Sequence, residues 1–160
     1  MTDERMGNAI LPAVARLPRG AGIVFRHYAT PATDRRRLFA AIVRIARSRG
    51  LAVIRAGDPC GYGEAGTHGA SRCRRPGLRT AAVHDRGQAA AAARHGLDAV
   101  FVSPVFATRS HIGASPLGPA RARRLTRGYD LPTIALGGMT ARKFSRLSGF
   151  AGWAAIDAWS

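Results

Sequence analysis

The 160-residue chain has few cysteines, few aromatic residues and no long apolar run. No stretch of about 18 consecutive apolar residues is present, which argues against a membrane-spanning helix. The charged start, Met1-Thr2-Asp3-Glu4-Arg5, lacks the apolar core of a signal peptide, which favours a cytoplasmic location. The two cysteines, Cys60 and Cys73, are therefore expected to be reduced thiols, although their spacing alone would also allow a disulfide.

Acidic residues are also scarce, because 9 aspartates and glutamates stand against 25 lysines and arginines, for a formal charge of +16. Only one basic residue, Lys143, is a lysine. Such a charge is typical of proteins that bind polyanions such as nucleic acids. The arginines are spread along the whole chain, however, and no recognised nucleic-acid motif accompanies them. We therefore interpret them as a solvated basic surface and keep nucleic-acid binding as the alternative.

Apolar residues make up 46% of the chain and aromatic residues only 7%, so the composition is that of a globular protein. Alanine and glycine supply much of the apolar share, which predicts close packing of helices and strands with few large side chains. The length predicts a single domain over residues 1–160.

Short apolar runs alternate with helical segments, which is typical of parallel βα units. Thr33 or Asp34 is expected to cap the first helix, Gly50 to end it and Thr140 to cap the last one. The predicted strands are 21–26, 51–54, a weak one at 66–68, 78–83, 98–102, 132–136 and 153–156. The predicted helices are about 33–49, 85–95, 118–127 and one that begins at Thr140.

Parallel units of this kind form either a doubly wound sheet or a closed barrel. The first strand is not followed by the G-x-G-x-x-G turn of the dinucleotide-binding sheet. Polar loops follow the strand ends, where barrel enzymes place their sites. The pattern therefore favours a TIM (β/α)8 barrel.

Three C-terminal segments together resemble the thiamine phosphate synthase and thiazole tautomerase family. Residues 96–108, GLDAVFVSPVFAT, are similar to the family's sixth strand and the loop after it, whereas LGGMT at 136–140 and GWAAI at 152–156 resemble the ends of the seventh and eighth strands. Gly66-Thr67-His68 resembles the end of the fourth strand and Phe25-Arg26-His27-Tyr28 that of the second. The pair Ser103-Pro104 is nearer to the synthase than to the tautomerase branch.

The resemblance also predicts that most of the first strand is missing. Thr2-Asp3 is similar to the polar end of that strand, but the apolar residues that should precede it are absent. Either the strand is missing from this chain or the natural start lies upstream.

The family joins hydroxymethylpyrimidine diphosphate to thiazole phosphate, which implies phosphorylated thiamine precursors as ligands. The resemblance assigns Gly137 and Gly138 to phosphate binding, because paired glycines let backbone N–H groups approach phosphate oxygens. It assigns the loop residues Thr108, Arg109 and Ser110 to the diphosphate and the thiazole phosphate. Arg26 corresponds to an arginine that reaches the diphosphate, whereas Val24 and Tyr28 replace the family's glutamine and lysine.

The remaining implied positions are less regular. Asp157 stands where the family commonly has serine near the thiazole phosphate, so a cation such as Arg109 must pair with it if phosphate is to bind there. Ala158 is a further phosphate-binding candidate, through its main-chain amide. His68 and His84 lie at predicted strand ends and are further candidates. The family's Mg²⁺ would need oxygen ligands, for which Asp58 is the candidate, although Arg55 nearby would repel the ion.

Three functions follow as hypotheses. The first is a thiamine phosphate synthase-like transferase, and the second is a non-catalytic protein of the same fold that binds a phosphorylated ligand or a partner. The third is a basic nucleic-acid-binding protein. Assembly into a homo-oligomer is left open.

Overall fold

The computed structural model describes residues 1–57, 61, 63–69, 76–111, 113 and 115–158. They fall into two compact units, residues 1–78 and 79–158. Whether they act as a single domain stays a prediction. The predicted alternation of helices and parallel strands is confirmed, with seven strands among the described residues. The strands are β1 (Gly22–Phe25), β2 (Ala52–Ala56), β3 (Gly66–His68), β4 (Leu78–Val83), β5 (Ala99–Val102), β6 (Thr133–Leu136) and β7 (Gly152–Ala154); the α-helices are α1 (Ile10–Arg16), α2 (Ala32–Arg49), α3 (Arg86–Arg94), α4 (Gly118–Thr126) and α5 (Ala141–Phe144).

The first unit contains three parallel strands in the order β1-β2-β3. Ile23 of β1 pairs with Val53 of β2, and Arg55 of β2 pairs with Thr67 of β3. Helix α2 packs against β2 and α1 packs against α2. The apolar sides of these elements form one core, which includes Ile10, Val14, Phe25, Phe39, Ile42 and Val53.

The residues before β1 contain no strand in the part of the chain that the structure describes. Thr2 alone lies beside β1, where its N–H donates to the Val24 carbonyl over 2.9 Å and its hydroxyl accepts from the Arg26 N–H over 3.0 Å. A 3-10 helix at Glu4–Ala9 follows directly. The predicted end of a first strand is thus represented by Thr2 in the described residues before β1, and whether apolar strand residues precede it stays a prediction.

The second unit contains four parallel strands in the order β4-β5-β6-β7. Its core combines β-branched strand residues with small helix residues, and Ala89 of α3, Ala122 of α4 and Ala135 of β6 are fully buried. Because alanine adds little bulk, these helices can lie close to the strands. The close packing expected from the alanine content is present here.

Several helix ends follow local signals. Gly50 ends α2 in the left-handed conformation, with φ 65° and ψ 40°. The Asp85 and Thr140 side chains cap α3 and α5 by accepting from the N–H groups of Gln88 and Lys143. The prediction of Thr33 or Asp34 as the cap of α2 is wrong, because the helix already begins at Ala32 after Pro31 and has no side-chain cap.

Among the helices in the described ranges, none is both long and apolar enough to cross a bilayer.

Candidate functional site

The Gly137-Gly138 turn at the carboxyl end of β6 is held against the loop that follows β5. Both glycines have positive φ, 93° and 59°. A Cβ at Gly137 would lie 2.7 Å from the Pro104 Cα, and a Cβ at Gly138 would collide with the carbonyl oxygen of Ala107. The Phe106 N–H donates to the Gly137 carbonyl over 3.0 Å. Only glycines permit this approach, so the turn and the loop form one rigid rim.

The same loop also reaches the end of β7. Arg109 begins a 3-10 turn, and its Nε lies 3.4 Å from Asp157 Oδ2. The Thr108 hydroxyl accepts from the Ser110 N–H over 3.3 Å, which shapes the start of the turn. Arg109 is therefore the cation that offsets the charge of the Asp157 carboxylate, as phosphate binding beside Asp157 requires. The Arg109 side chain is 82% exposed, so the pair adds little stability and Arg109 can exchange partners.

Six of the residues predicted from the sequence are thus brought together at the carboxyl ends of β5, β6 and β7. They are Thr108, Arg109, Ser110, Gly137, Gly138 and Asp157. Ala158 follows Asp157 in the chain and is exposed. The arrangement supplies a guanidinium, two hydroxyl groups and a glycine turn within one rim, which is a set suited to phosphate oxygens.

Lys143 is a residue of this rim that sequence reasoning missed. Its Nζ donates to the Gly138 carbonyl over 2.5 Å and lies 4.8 Å from the centre of the Phe106 ring. The side chain is half-buried, and its charge lies beside the glycine turn. Two features of the sequence could have indicated Lys143 as a site residue. It is the sole lysine of the chain, and it lies three residues after the helix cap Thr140, close to the glycine turn.

His84 has a structural contact at the end of β4. Its Nδ1 lies 2.9 Å from the Ser103 carbonyl oxygen, and its backbone N–H donates to the Gln88 side chain over 2.8 Å. Since a carbonyl can only accept, Nδ1 carries the proton in this contact. His84 thus ties the end of β4 to the residue after β5.

Arg26 and His68 lie close to each other within the first unit. Arg26 follows β1 and is half-buried, whereas His68 ends β3 and is 8% exposed. Burial first, and then the positive charge of Arg26, lower the pKa of His68 to about 4. His68 is therefore a neutral imidazole beside a fixed positive charge at neutral pH.

This low pKa predicts a pH-dependent stability. The folded-state pKa of His68, about 4, is below the unfolded value of 6.5. The stability that the fold gains from a neutral His68 is therefore fully present above pH 6.5 and is lost as the pH falls toward 4. The loss is at most about 3 kcal/mol. We expect urea unfolding midpoints, followed by circular dichroism, to fall between pH 6.5 and pH 4.

His68→Gln should make that fall shallower. The difference between the two proteins isolates His68, since His27, whose pKa is also lowered by burial, titrates in both. Parallel pH profiles for the two proteins would show that His68 is not held neutral by the fold.

Two neighbouring positions that depart from the family pattern contribute no charge. Val24 is 3% exposed and packs in the interior, and Tyr28 is 61% exposed. The Arg35 guanidinium lies 5.9 Å from the centre of the Tyr28 ring. His27 is buried, stacks on Phe25 with 4.7 Å between ring centres, and contacts the Thr2 hydroxyl over 3.1 Å. These side chains therefore support the strand end rather than a phosphate.

Asp58, the predicted metal ligand, lies outside the described residues, as do Cys60 and Cys73. Within the described ranges no three histidine, cysteine, aspartate or glutamate side chains come together in a way that could hold a metal ion. Half-buried Arg55 of β2 adds positive charge one residue before the end of that strand. The described residues alone thus do not form a Mg²⁺ site.

Comparison with solved structures identifies the class of fold. Thiamine phosphate pyrophosphorylase from Pyrococcus furiosus superposes with a TM-score of 0.76 at 18% identity, covering 98% of this chain and 83% of that one. The chain therefore has an α/β fold of the TIM-barrel type, with seven parallel strands among the described residues. At this level of identity the likeness shows the fold alone.

The sequence identifies the family. The thiamine monophosphate synthase model matches residues 73–159, more than half of the chain, so the chain belongs to that family. An Aquifex aeolicus (strain VF5) protein named "Putative thiamine-phosphate synthase 2" is 34% identical over 61 residues, which is 38% of this chain. The matched stretch spans 33% of that relative's length.

Proposed function

We propose that the rim at the ends of β5, β6 and β7 binds the phosphate of a thiazole phosphate or thiamine phosphate. The observation that best supports this proposal is the close contact between the Gly137-Gly138 turn and the loop 104–109, from which Arg109 reaches Asp157. Membership of the thiamine monophosphate synthase family supports thiamine biosynthesis as the pathway. Such a role fits a cytoplasmic protein.

The residues of the rim have distinct proposed roles. Backbone N–H groups of the turn and the Thr108 and Ser110 hydroxyls donate to phosphate oxygens, and Arg109 neutralises the dianion. Lys143 adds a second positive charge and fixes the turn through the Gly138 carbonyl. A phosphate bound here shares Arg109 with Asp157, whose carboxylate still repels the dianion. Asp157 therefore weakens binding relative to the serine that the family commonly has.

As a synthase, the protein would join two substrates in two steps. The bond between the pyrimidine methylene carbon and the diphosphate oxygen breaks, and its electron pair leaves with pyrophosphate. The thiazole nitrogen then donates its lone pair to the resulting cation. The family resemblance assigns Arg26 to diphosphate binding, and within the first unit this half-buried guanidinium lies beside neutral His68.

A non-catalytic ligand-binding role is the second candidate, and particular observations favour it. The Arg109–Asp157 pair is already formed, Val24 lacks the amide of the family's glutamine, and Tyr28 lacks the charge of its lysine. A protein that binds the thiazole phosphate yet forms no thiamine phosphate would have this role. Incubation with both substrates and Mg²⁺, followed by chromatography of thiamine phosphate, separates the two candidates.

Asp157→Ser is expected to bind thiazole phosphate about tenfold more tightly than the parent chain, a gain of about 1.4 kcal/mol. The substitution removes a carboxylate from the phosphate position and frees Arg109 to face the ligand. Arg109→Gln is expected to weaken binding by a similar factor. Isothermal titration with thiazole phosphate at constant ionic strength measures both changes.

Arg94→Gln provides the matched control, because Arg94 is an exposed arginine in the last turn of α3 and its loss changes the net charge equally. It should leave the affinity within twofold of the parent value. The proposal fails if neither the parent chain nor Asp157→Ser binds thiazole phosphate or thiamine phosphate at millimolar concentration. It fails equally if Asp157→Ser weakens binding.

A further inference from the structure

A cavity of about 800 Å³ lies at the opposite end of β6 from the glycine turn. Thr133, the first residue of β6, lines it, whereas the glycine turn follows Leu136, the last residue. A strand of four residues spans about 13 Å, so the two places are distinct. The cavity belongs wholly to the second unit, between the end of α4 and the residues that precede β6 and β7.

Three arginines line this cavity: Arg123, Arg124 and Arg127. Asp130 is the acidic residue of the lining, and among the described residues none of the three arginines lies within ion-pair distance of a carboxylate. Arg123 donates to the neutral Ser148 hydroxyl over 3.2 Å. The lining therefore has two more positive than negative side chains, and no ion pair within the described ranges neutralises its guanidinium groups.

A fourth arginine fixes the cavity wall without occupying it. Arg86 donates to the carbonyl oxygens of Arg124 and Arg127, over 2.9 and 3.4 Å. Its guanidinium also lies 5.5 Å from the centre of the Tyr129 ring. These contacts satisfy carbonyl groups that α4 leaves open at its carboxyl end. The backbone that carries Arg124 and Arg127 is thereby held in place while their side chains remain exposed.

We propose that this cavity binds a ligand with two or more adjacent phosphate groups. Planar guanidinium groups bind phosphate oxygens through paired hydrogen bonds, and three of them can each pair with the oxygens of a different phosphate group along a chain. The volume lies within the range of about 300–1,000 Å³ typical of small-molecule sites. Leu131, Pro132 and Ala151 give part of the wall an apolar surface, which leaves room for an organic group beside the phosphates.

The test uses inorganic tripolyphosphate and ADP as probes in isothermal titrations at about 0.1 M salt, where long-range attraction is screened. Arg124→Gln/Arg127→Gln is expected to weaken binding at least tenfold. The matched control is Arg94→Gln/Arg121→Gln, which removes two exposed arginines from α3 and α4 that do not line the cavity. The control should stay within twofold of the parent affinity.

Ala151→Trp tests the location without changing the charge, because the indole would fill part of the cavity. Weaker binding of either probe supports the proposal, and selective loss of ADP binding identifies a nucleotide rather than an inorganic phosphate chain. The proposal is overturned if neither probe binds at 1 mM, if both double variants lose affinity equally, or if Ala151→Trp changes nothing. Loss of binding in Arg109→Gln alone would place the probe at the glycine turn and would also overturn it.

Discussion

Replacing Gly66 with alanine is expected to lower the free energy of unfolding by about 3 kcal/mol or more. Gly66 begins β3, and a Cβ there would collide with the carbonyl oxygen of Leu78 and lie 2.6 Å from the Leu78 nitrogen. These are backbone atoms, so no side-chain rotation relieves the overlap. The Leu78 N–H also donates to the Ala65 carbonyl over 2.8 Å, which keeps the two segments together. Urea denaturation followed by circular dichroism measures the change.

Gly22→Ala is the matched control for this substitution. Gly22 also begins a strand, β1, but it is exposed and a Cβ there would have no atom within 4 Å. Since glycine loses more conformational freedom on folding than alanine, this change should be neutral or stabilise by about 0.5–1 kcal/mol. Similar losses in the two variants would mean that the close approach of Leu78 to Gly66 is not made.

Sequence reasoning located the strands and most helix ends because their signals are local. The short apolar runs at 99–102 and 133–136 are bounded by polar or turn residues, so each run predicts a strand. Gly50 ends α2 because a left-handed residue is needed there, and glycine adopts that conformation without steric cost. The cap at Thr140 needs only a hydroxyl within three residues of the N–H that it accepts from.

Helix α1 was missed although its pattern is present. Ile10, Ala13, Val14 and Leu17 recur at helical spacing and are buried. The helix has only seven residues and contains a proline, so its propensity alone gives a weak signal. Its place in the core comes from packing against α2, which joins residues distant in sequence. The family resemblance instead likens Thr2-Asp3 to the polar end of a first strand, and Thr2 does lie beside β1, where its N–H donates to the Val24 carbonyl.

The candidate site was predictable in its members but not in their contacts. The resemblance named Arg109 and Asp157, which are 48 residues apart, and only the fold shows their distance of 3.4 Å. The Lys143 side chain bonds to Gly138, which precedes its helix, so helical spacing does not mark this residue as important. Its contact with the Gly138 carbonyl depends on how the chain turns after β6. Contacts between residues that are distant in sequence cannot be predicted from periodicity and spacing.

Gly138→Ala is expected to reduce both stability and phosphate binding. The residue has φ 59°, a left-handed conformation that costs an alanine about 1 kcal/mol. Its Cβ would also collide with the Ala107 carbonyl and lie 3.0 Å from the Phe106 Cβ, which adds about 1–3 kcal/mol. Relief of that overlap moves the turn away from the loop that carries Thr108 and Arg109. We therefore expect the affinity for thiazole phosphate to fall at least tenfold.

Gly96→Ala separates the conformational cost from the contact. Gly96 has φ 61°, nearly the same as Gly138, but a Cβ there would have no atom within 4 Å. Its replacement should therefore cost only about 1 kcal/mol and leave thiazole phosphate binding unchanged. Unfolding and titration of both variants give the comparison. If Gly138→Ala costs no more than Gly96→Ala and keeps its affinity, the glycine turn is not packed against the loop, and a rigid phosphate rim cannot exist there.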